Sequence, residues 1–221
     1  YTKIIAVYPR NVLLADQLRE ALSEILKINE SIKNENLRSI TIGAFLGDVP
    51  NDEKSKSIDK KKQWKQTPEG YVVPFIKSPR DSISSLIWKD EDRENGRTVL
   101  YRENQSTPDV PNGIISLTRD QIKKTPPDIL FLSAEMLNRE LGNPEYAKLF
   151  GVGNQVVQSP RLLLLDEVHS YERIQGAHLA WLLRRWLHWS KTKNIQIVGL
   201  SATLKNPQMH LSRVTGFRED Q

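Results

Sequence analysis

The chain has 221 residues, 38% of them hydrophobic, which is enough for one domain-sized core with a smaller appended module. The absence of cysteine excludes disulfides and thiolate metal sites, and the sequence has no signal-peptide pattern and no apolar run of about 18 residues. We therefore expect a cytoplasmic protein without a membrane segment. The net charge of +5 favours an anionic partner such as nucleic acid.

The first thirty residues predict a strand followed by a helix. Residues 3–9 are a short apolar strand, and the turn at Pro9 and Arg10 opens an amphipathic helix. Its apolar positions recur at helical spacing: Leu13, Leu14, Leu18, Ala21, Leu22 and Ile25. Proline presets such a turn, and the free N–H groups at a helix start favour phosphate.

Residues 48–125 interrupt the alternation of strands and helices. The first part is polar and lysine-rich, as expected for a loop or a short exposed helix. Three strand-like runs follow, and Asn95-Gly96 between the last two is a hairpin signal. We therefore predict that residues 84–102 form a two-stranded ribbon.

A lysine cluster around Trp64 leaves two interpretations open. The cluster comprises Lys60, Lys61, Lys62 and Lys65. These residues either grip a single strand through charge and base stacking, or form a solvated face over a packed tryptophan.

Residues 128–137 repeat the pattern of a strand and then a helix, after the breaker Pro126-Pro127. Ser133 and Glu135 fall at the end of the strand and the start of the helix. Asn138 and Arg139 lie one turn further along. Ser133 is either a phosphate contact or an ordinary helix N-cap.

The run LLLLDEVH at residues 162–169 delivers two carboxylates at the end of a buried strand. Open α/β sheets place ligands at this end, and adjacent carboxylates there suit a nucleotide-bound magnesium ion. Asp166 would hold the metal, directly or through water. Glu167 would orient or deprotonate the water that attacks the γ-phosphate. Taken alone, the pair equally fits a solvated loop after a core strand.

Residues 170–190 predict a helix, and residues 195–203 predict a last strand ending in Ser201 and Thr203. The two hydroxyls can exchange hydrogen bonds at the same sheet edge as Asp166. The helix has an apolar face and contains three tryptophans: Trp181, Trp186 and Trp189. These either pack the helix on the sheet or on a neighbouring domain, or they stack on bases.

Together these segments resemble the DExH group of superfamily 2 helicases: DEVH resembles motif II, SAT motif III, the turn at Pro9 motif Ia, and residues 128–137 motif Ib. The resemblance implies a RecA-like (P-loop NTPase) α/β domain with a mostly parallel sheet. It implies ATP and Mg²⁺ at Asp166, Glu167, Ser201 and Thr203, with Asp166 as metal ligand. Catalysis is assigned to Asp166 and Glu167, with His169 coupling the nucleotide to a second domain. The implied nucleic-acid contacts are Arg10, Asn11, Gln17, Ser133, Glu135, Asn138 and Arg139.

The predicted organisation is a RecA-like domain in two parts, residues 1–47 and 126–221, separated by an insertion at residues 48–125. No Walker A loop, GxxxxGK followed by Ser or Thr, occurs in the sequence. A second RecA-like domain is also missing. We therefore expect a fragment of a larger enzyme that does not hydrolyse ATP alone.

Longer stretches, including residues 118–141 and 161–186, resemble the helicase subunit of the DISARM anti-phage defence system. This resemblance implies a DNA-dependent ATPase that moves on or remodels DNA, single-stranded or with a single-stranded end, alongside a second protein subunit. The motifs also leave open an RNA helicase, a restriction-type translocase, or a catalytically silent nucleic-acid-binding platform.

Overall fold

The structure, a computed structural model, describes residues 1–35, 37–153, 158–190, 195–202 and 205–217. The strands are β1 (Ile4–Tyr8), β2 (Ile42–Phe45), β3 (Lys65–Thr67), β4 (Gly70–Lys77), β5 (Ser85–Lys89), β6 (Leu100–Arg102), β7 (Ile115–Ser116), β8 (Ile129–Ser133), β9 (Leu162–Leu165) and β10 (Gln196–Gly199). The helices are α1 (Asn11–Ile32), α2 (Ser55–Ile58), α3 (Asp90–Glu94), α4 (Arg119–Lys124), α5 (Ala134–Glu140), α6 (Ala147–Phe150), α7 (Arg173–Trp189) and α8 (Pro207–Thr215). Over these described ranges, no helix is both long and apolar enough to cross a bilayer.

The chain packs as two compact units, residues 1–11 with 129–221, and residues 12–128. These units are defined by internal contacts, whereas the predicted boundaries at residues 47 and 125 concern an insertion in the sequence. The predicted boundaries therefore stay a prediction.

The first unit contains four parallel strands in the order β10-β9-β1-β8. Ile5 of β1 lies opposite Leu130 of β8 and Leu163 of β9, and all three side chains are fully buried. Parallel strands are covered on both faces, which is why they are apolar almost throughout. The predicted α/β fold with a mostly parallel sheet is confirmed here.

The register of these strands brings their carboxyl ends to one edge. Tyr8 pairs with Ser133, and Leu165 pairs with both Val7 and Gly199. The residues that follow β1, β9 and β10 therefore emerge at the same edge as Ser133. This edge is where open α/β sheets place their ligands.

Helix α7 is fixed in the first unit by one apolar face. Trp186 is fully buried and donates its indole N–H to the carbonyl of Phe150 at 2.7 Å. The other buried positions of the helix are Gly176, Leu179, Ala180, Leu182 and Leu183. The predicted helix is confirmed. Its tryptophans differ in burial, since Trp186 is buried whereas Trp181 and Trp189 are exposed.

The second unit holds α1 and the parallel pair β2 and β7. Helix α1 buries Leu14, Leu18, Leu22 and Ile25, four of the six positions that the helical spacing predicts, whereas Leu13 and Ala21 are half-buried. At the end of this unit, the buried Asp128 carboxylate accepts two hydrogen bonds from the Arg38 guanidinium, at 2.6 and 2.7 Å. It also accepts a hydrogen bond from the backbone N–H of Thr41 at 3.0 Å, so both oxygens are satisfied.

The second unit also contains an antiparallel sheet in the order β3-β4-β5-β6. Strands β5 and β6 pair antiparallel, as the sequence predicts, with Ile87 opposite Tyr101. They are part of four strands rather than an isolated ribbon, and the short helix α3 lies between them. Gly96 closes that connection at φ +69°, a backbone conformation that glycine adopts without steric cost.

The structure decides between the two interpretations of Trp64. Its side chain is buried, packs edge-on against Phe75 at 6.0 Å between ring centres, and donates its indole N–H to the carbonyl of Asp48 at 2.8 Å. The base-stacking alternative is therefore wrong for Trp64. Lys60, Lys62 and Lys65 are exposed, and the half-buried Lys61 donates to the carbonyl of Gly47 at 2.6 Å.

Candidate functional site

Strand β9 places two carboxylates at the carboxyl edge of the parallel sheet. Its leucines hold it between β1 and β10, and the backbone N–H of Asp166 extends the ladder to the carbonyl of Val7 at 3.0 Å. One carboxylate oxygen of Asp166 accepts a hydrogen bond from the N–H of Glu167 at 2.8 Å. Asp166 is half-buried, so its free oxygen can still reach a ligand at the edge.

Glu167 adopts a left-handed backbone conformation, with φ 50° and ψ 45°. A non-glycine residue there costs about 1–3 kcal/mol and persists only where its surroundings hold it. Two hydrogen bonds fix the turn: Val168 N–H donates to the carbonyl of Leu200 at 2.9 Å, and Ser170 N–H donates to that of Glu167 at 2.7 Å. With the backbone in this conformation, the Glu167 carboxylate lies within 3.2 Å of the His169 ring.

His169 connects the end of β9 with the end of β10. Its Nδ1 lies 3.2 Å from Oε2 of Glu167 and 3.1 Å from Oγ of Ser201. Ser201 is held there because the N–H of Leu200 donates to the carbonyl of Leu165 at 2.8 Å. A proton on Nδ1 can be donated to the carboxylate, whereas an unprotonated Nδ1 accepts from the serine hydroxyl. Glu167 and Ser201 thus both lie within hydrogen-bond distance of the same nitrogen of His169.

The carboxylates fit a magnesium ion that arrives with a nucleotide. Magnesium usually takes one or two protein carboxylates and fills its other positions with water and phosphate oxygens. Asp166 and Glu167 supply that donor set. In the part of the chain that the structure describes, no group of three or more Asp, Glu, His or Cys side chains could hold a metal by itself. Thr203, the other predicted nucleotide contact, lies outside the described residues.

The predicted nucleic-acid contacts of the first unit fall on α5 and at the start of α1. Ser133 caps α5 by accepting a hydrogen bond from Met136 N–H at 3.1 Å, and Glu135 is exposed. Asn138 is also exposed, and the Arg139 guanidinium lies 3.0 Å from the Glu140 carboxylate. The structure therefore places Ser133 at the end of β8 and the other three predicted residues on the short helix α5 that follows it.

The remaining predicted contacts are also exposed. Arg10 and Asn11 lie at the end of β1, where α1 begins, and they belong to the first unit. Gln17 is an exposed residue of α1 in the second unit. All three side chains are open to a ligand.

Comparison with known proteins finds sequence similarity to helicases in part of the chain. Residues 110–210 match the DEAD/DEAH box helicase family. An uncharacterized ATP-dependent helicase of Methanocaldococcus jannaschii, MJ1574, is 33% identical over 92 residues, which are 41% of this chain and 13% of that protein. The ATP-dependent helicase HRQ1 of Saccharomyces cerevisiae is 33% identical over 63 residues, which are 27% of this chain and 6% of that protein. The chain thus spans a small part of the helicases that it resembles.

Solved structures of the DUF1998 helicase MrfA share the fold. The DNA-bound form superimposes with a TM-score of 0.52 and 17% identity over 98% of this chain and 19% of that chain. Another MrfA structure superimposes with a TM-score of 0.50 and 17% identity, over 97% of this chain and 22% of that chain. The fold is therefore α/β and RecA-like. The similarity to helicase sequences is confined to residues 110–210 and the two stretches given above.

Tyr171 is a residue next to this site that the sequence did not single out. Its ring is buried, and its hydroxyl has no hydrogen-bond partner among the residues that the structure describes. Burial raises the pKa of this hydroxyl, and the negative charge of Asp166 raises it further. A buried unpaired hydroxyl loses its hydration without compensation, which lowers the free energy of unfolding.

We expect Tyr171→Phe to leave the free energy of unfolding unchanged or to raise it by up to about 1 kcal/mol, because it removes a buried polar group that has no partner. Urea denaturation measures this. The control is Tyr71→Phe, which removes a hydroxyl that donates to Asp59 at 2.8 Å. The free energy of unfolding of this control should fall by about 1 kcal/mol. A comparable loss in Tyr171→Phe would contradict the unpaired state of its hydroxyl.

Proposed function

We propose that this chain forms the first RecA-like domain of a longer ATP-dependent DNA helicase or translocase. The observation that carries the proposal is the convergence of Asp166, Glu167, His169 and Ser201 at the carboxyl edge of a parallel sheet. Core packing alone does not require two carboxylates, an imidazole and a hydroxyl at one sheet edge. Nucleotide hydrolysis uses such groups, with carboxylates that hold a metal ion and activate water.

Each carboxylate has a separate task in this proposal. Asp166 holds the magnesium ion directly or through water, because it directly continues the rigid strand β9. Bound Mg²⁺ and ATP supply the γ-phosphoryl group and the positive charge that offsets its developing negative charge. Glu167 orients the attacking water and accepts its proton. Ser201 and Thr203 are the other proposed nucleotide contacts.

His169 is the coupling residue in this proposal. Because its Nδ1 contacts both Glu167 and Ser201, a change in the hydrogen bonding of Glu167 alters the contact with the end of β10. The segment after β10 would carry that change to a second RecA-like domain. This arrangement gives ATP hydrolysis a structural route to movement.

The proposed nucleic-acid contacts are Ser133, Glu135, Asn138 and Arg139 of α5, together with Arg10, Asn11 and Gln17. We propose DNA as the substrate because MrfA, which shares this fold, is described as bound to DNA. The net charge of +5 agrees with a polyanionic partner. The resemblance to the DISARM helicase subunit adds a cytoplasmic setting, anti-phage defence, and a second protein subunit to the proposal.

The test of this function is ATP hydrolysis by the full-length parent protein, with and without single-stranded DNA, duplex DNA and RNA. We expect DNA to stimulate hydrolysis and RNA to do so much less. If only RNA stimulates hydrolysis, RNA would be the substrate instead of DNA. No hydrolysis under any condition would overturn the motor and leave a nucleic-acid-binding platform.

We expect Arg139→Gln to weaken DNA binding equally for all sequences and to lower the slope of log K against log salt by about 0.7–0.9, the contribution of one phosphate contact. Fluorescence anisotropy at several salt concentrations measures the slope. The matched control is Arg161→Gln, because Arg161 is exposed at the opposite end of β9. Equal slopes for both variants would remove Arg139 from the interface. Ser133→Ala should also weaken DNA binding. Because Ser133 caps α5, the free energy of unfolding of this variant must be measured together with its DNA binding.

A further inference from the structure

Helix α7 presents one exposed face that packing of the first unit does not use. Residues three, four or seven positions apart share a face of a helix. Six exposed residues of α7 follow this spacing: Ile174, His178, Trp181, Arg185, His188 and Trp189. The side chain of Trp181 is 75% exposed and that of Trp189 is 45% exposed. The buried residues of α7 lie on the opposite face. Packing of the unit therefore does not use these two indoles.

The charge of α7 favours an anionic partner for this face. The helix contains Arg173, Arg184 and Arg185, and it contains no Asp or Glu from its first residue to its last. Arg184 and Arg185 are adjacent, and their positive charge attracts polyanions. A partner protein would need an acidic surface to match it, whereas nucleic acid carries the matching charge in every nucleotide.

Arg185 connects this face to the helix proposed to contact phosphates. Its guanidinium lies 5.7 Å from the ring centre of Trp189, within the range of a cation–π interaction. The same guanidinium donates to Oδ1 of Asn138 at 2.7 Å and to its carbonyl at 3.3 Å. Asn138, Arg185 and Trp189 therefore form one continuous surface across α5 and α7.

We infer that Trp181, Arg185 and Trp189 bind the unpaired bases of a single-stranded nucleic acid, in an inference that rests on the proposed function and deepens it. Exposed indoles beside a guanidinium stack on bases of any sequence, since every base has a π face. The two indoles are eight residues apart, or about 12 Å along the helix axis, so they contact different bases. Duplex DNA does not fit this site because its base faces are already stacked.

The test compares two labelled strands of about 20 nucleotides, oligo(dT) and an abasic strand of the same length and charge. The parent chain binds oligo(dT) more tightly than the abasic strand. Trp181→Ala and Trp189→Ala each lower affinity for oligo(dT) by about fivefold or more and leave affinity for the abasic strand unchanged. Trp189→Tyr restores most of the loss, because tyrosine still stacks. Arg185→Gln weakens binding of both strands.

Two control variants accompany the test. Ile83→Ala removes another exposed apolar side chain, which is 80% exposed, and Arg161→Gln removes another exposed arginine. Neither variant should change the affinity for oligo(dT) relative to the affinity for the abasic strand.

The failures of this inference and of the proposed function are distinguishable. If the parent binds both strands equally, or if the tryptophan variants bind oligo(dT) as the parent does, the stacking site is overturned while nucleic-acid binding stands. If the parent binds neither strand, both are overturned. Loss of self-association in Trp181→Ala, with DNA binding unchanged, would also overturn the inference and assign the face to protein contact.

Discussion

Replacing Glu167 with glutamine in the full-length protein is expected to lower ATP turnover by about 100- to 10,000-fold, the usual contribution of a positioned general base. The amide has nearly the shape of the carboxylate, but it cannot accept the proton of the attacking water. It also changes the contact with Nδ1 of His169, now 3.2 Å from Oε2. ATP binding should stay close to that of the parent, because Asp166 keeps its carboxylate for magnesium.

Turnover under saturating ATP and DNA measures the first effect, and equilibrium binding of a labelled ATP analogue measures the second. Glu172→Gln is the matched control, because Glu172 is an exposed glutamate five positions further along the chain. Its turnover should equal that of the parent. Hydrolysis unchanged in Glu167→Gln would remove Glu167 from the mechanism. Loss of ATP binding would make it a nucleotide ligand instead of a base.

Trp186→Ala has the largest expected effect on stability, a loss of about 3–5 kcal/mol in the free energy of unfolding. The substitution empties the space of a fully buried indole. It also leaves the carbonyl of Phe150 without the hydrogen bond that it accepts at 2.7 Å, and a buried unpaired acceptor is itself costly. Urea denaturation of the 221-residue chain, followed by circular dichroism, measures the loss.

Trp181→Ala is the matched control, because it makes the same substitution on the same helix at a position that is 75% exposed. Its free energy of unfolding should lie within about 0.5 kcal/mol of the parent's, as is usual for surface substitutions. Equal losses in the two variants would contradict the burial of Trp186. A stable Trp181→Ala also allows its DNA binding to be interpreted without a folding defect.

Hydrophobic periodicity was sufficient to predict most of the elements that carry the site. The apolar run before Asp166 predicted a buried strand, and the spacing in α1 predicted six apolar positions, four of which are buried. The Asn95-Gly96 signal predicted the pairing of β5 with β6. These features are local, because each depends on residues within a few turns or one hairpin.

The same sequence could not separate the roles of its tryptophans. Trp64, Trp181, Trp186 and Trp189 all lie in segments with both apolar and charged neighbours. Trp64 packs against Phe75, and Trp186 reaches the carbonyl of Phe150, 36 residues away. Such partners are set by how distant segments pack, so composition leaves burial and exposure undecided.

By itself, the sequence determined that strands and helices alternate and that Asp166 and Glu167 follow a buried strand, because the order of apolar and polar residues fixes these local structures. Only the tertiary structure decided that His169 meets Ser201, 32 residues further along the chain, and that Arg185 joins α5 to the exposed indole of Trp189. Those contacts depend on strand register and helix packing. Both are set by long-range burial of apolar surface, which no local pattern records.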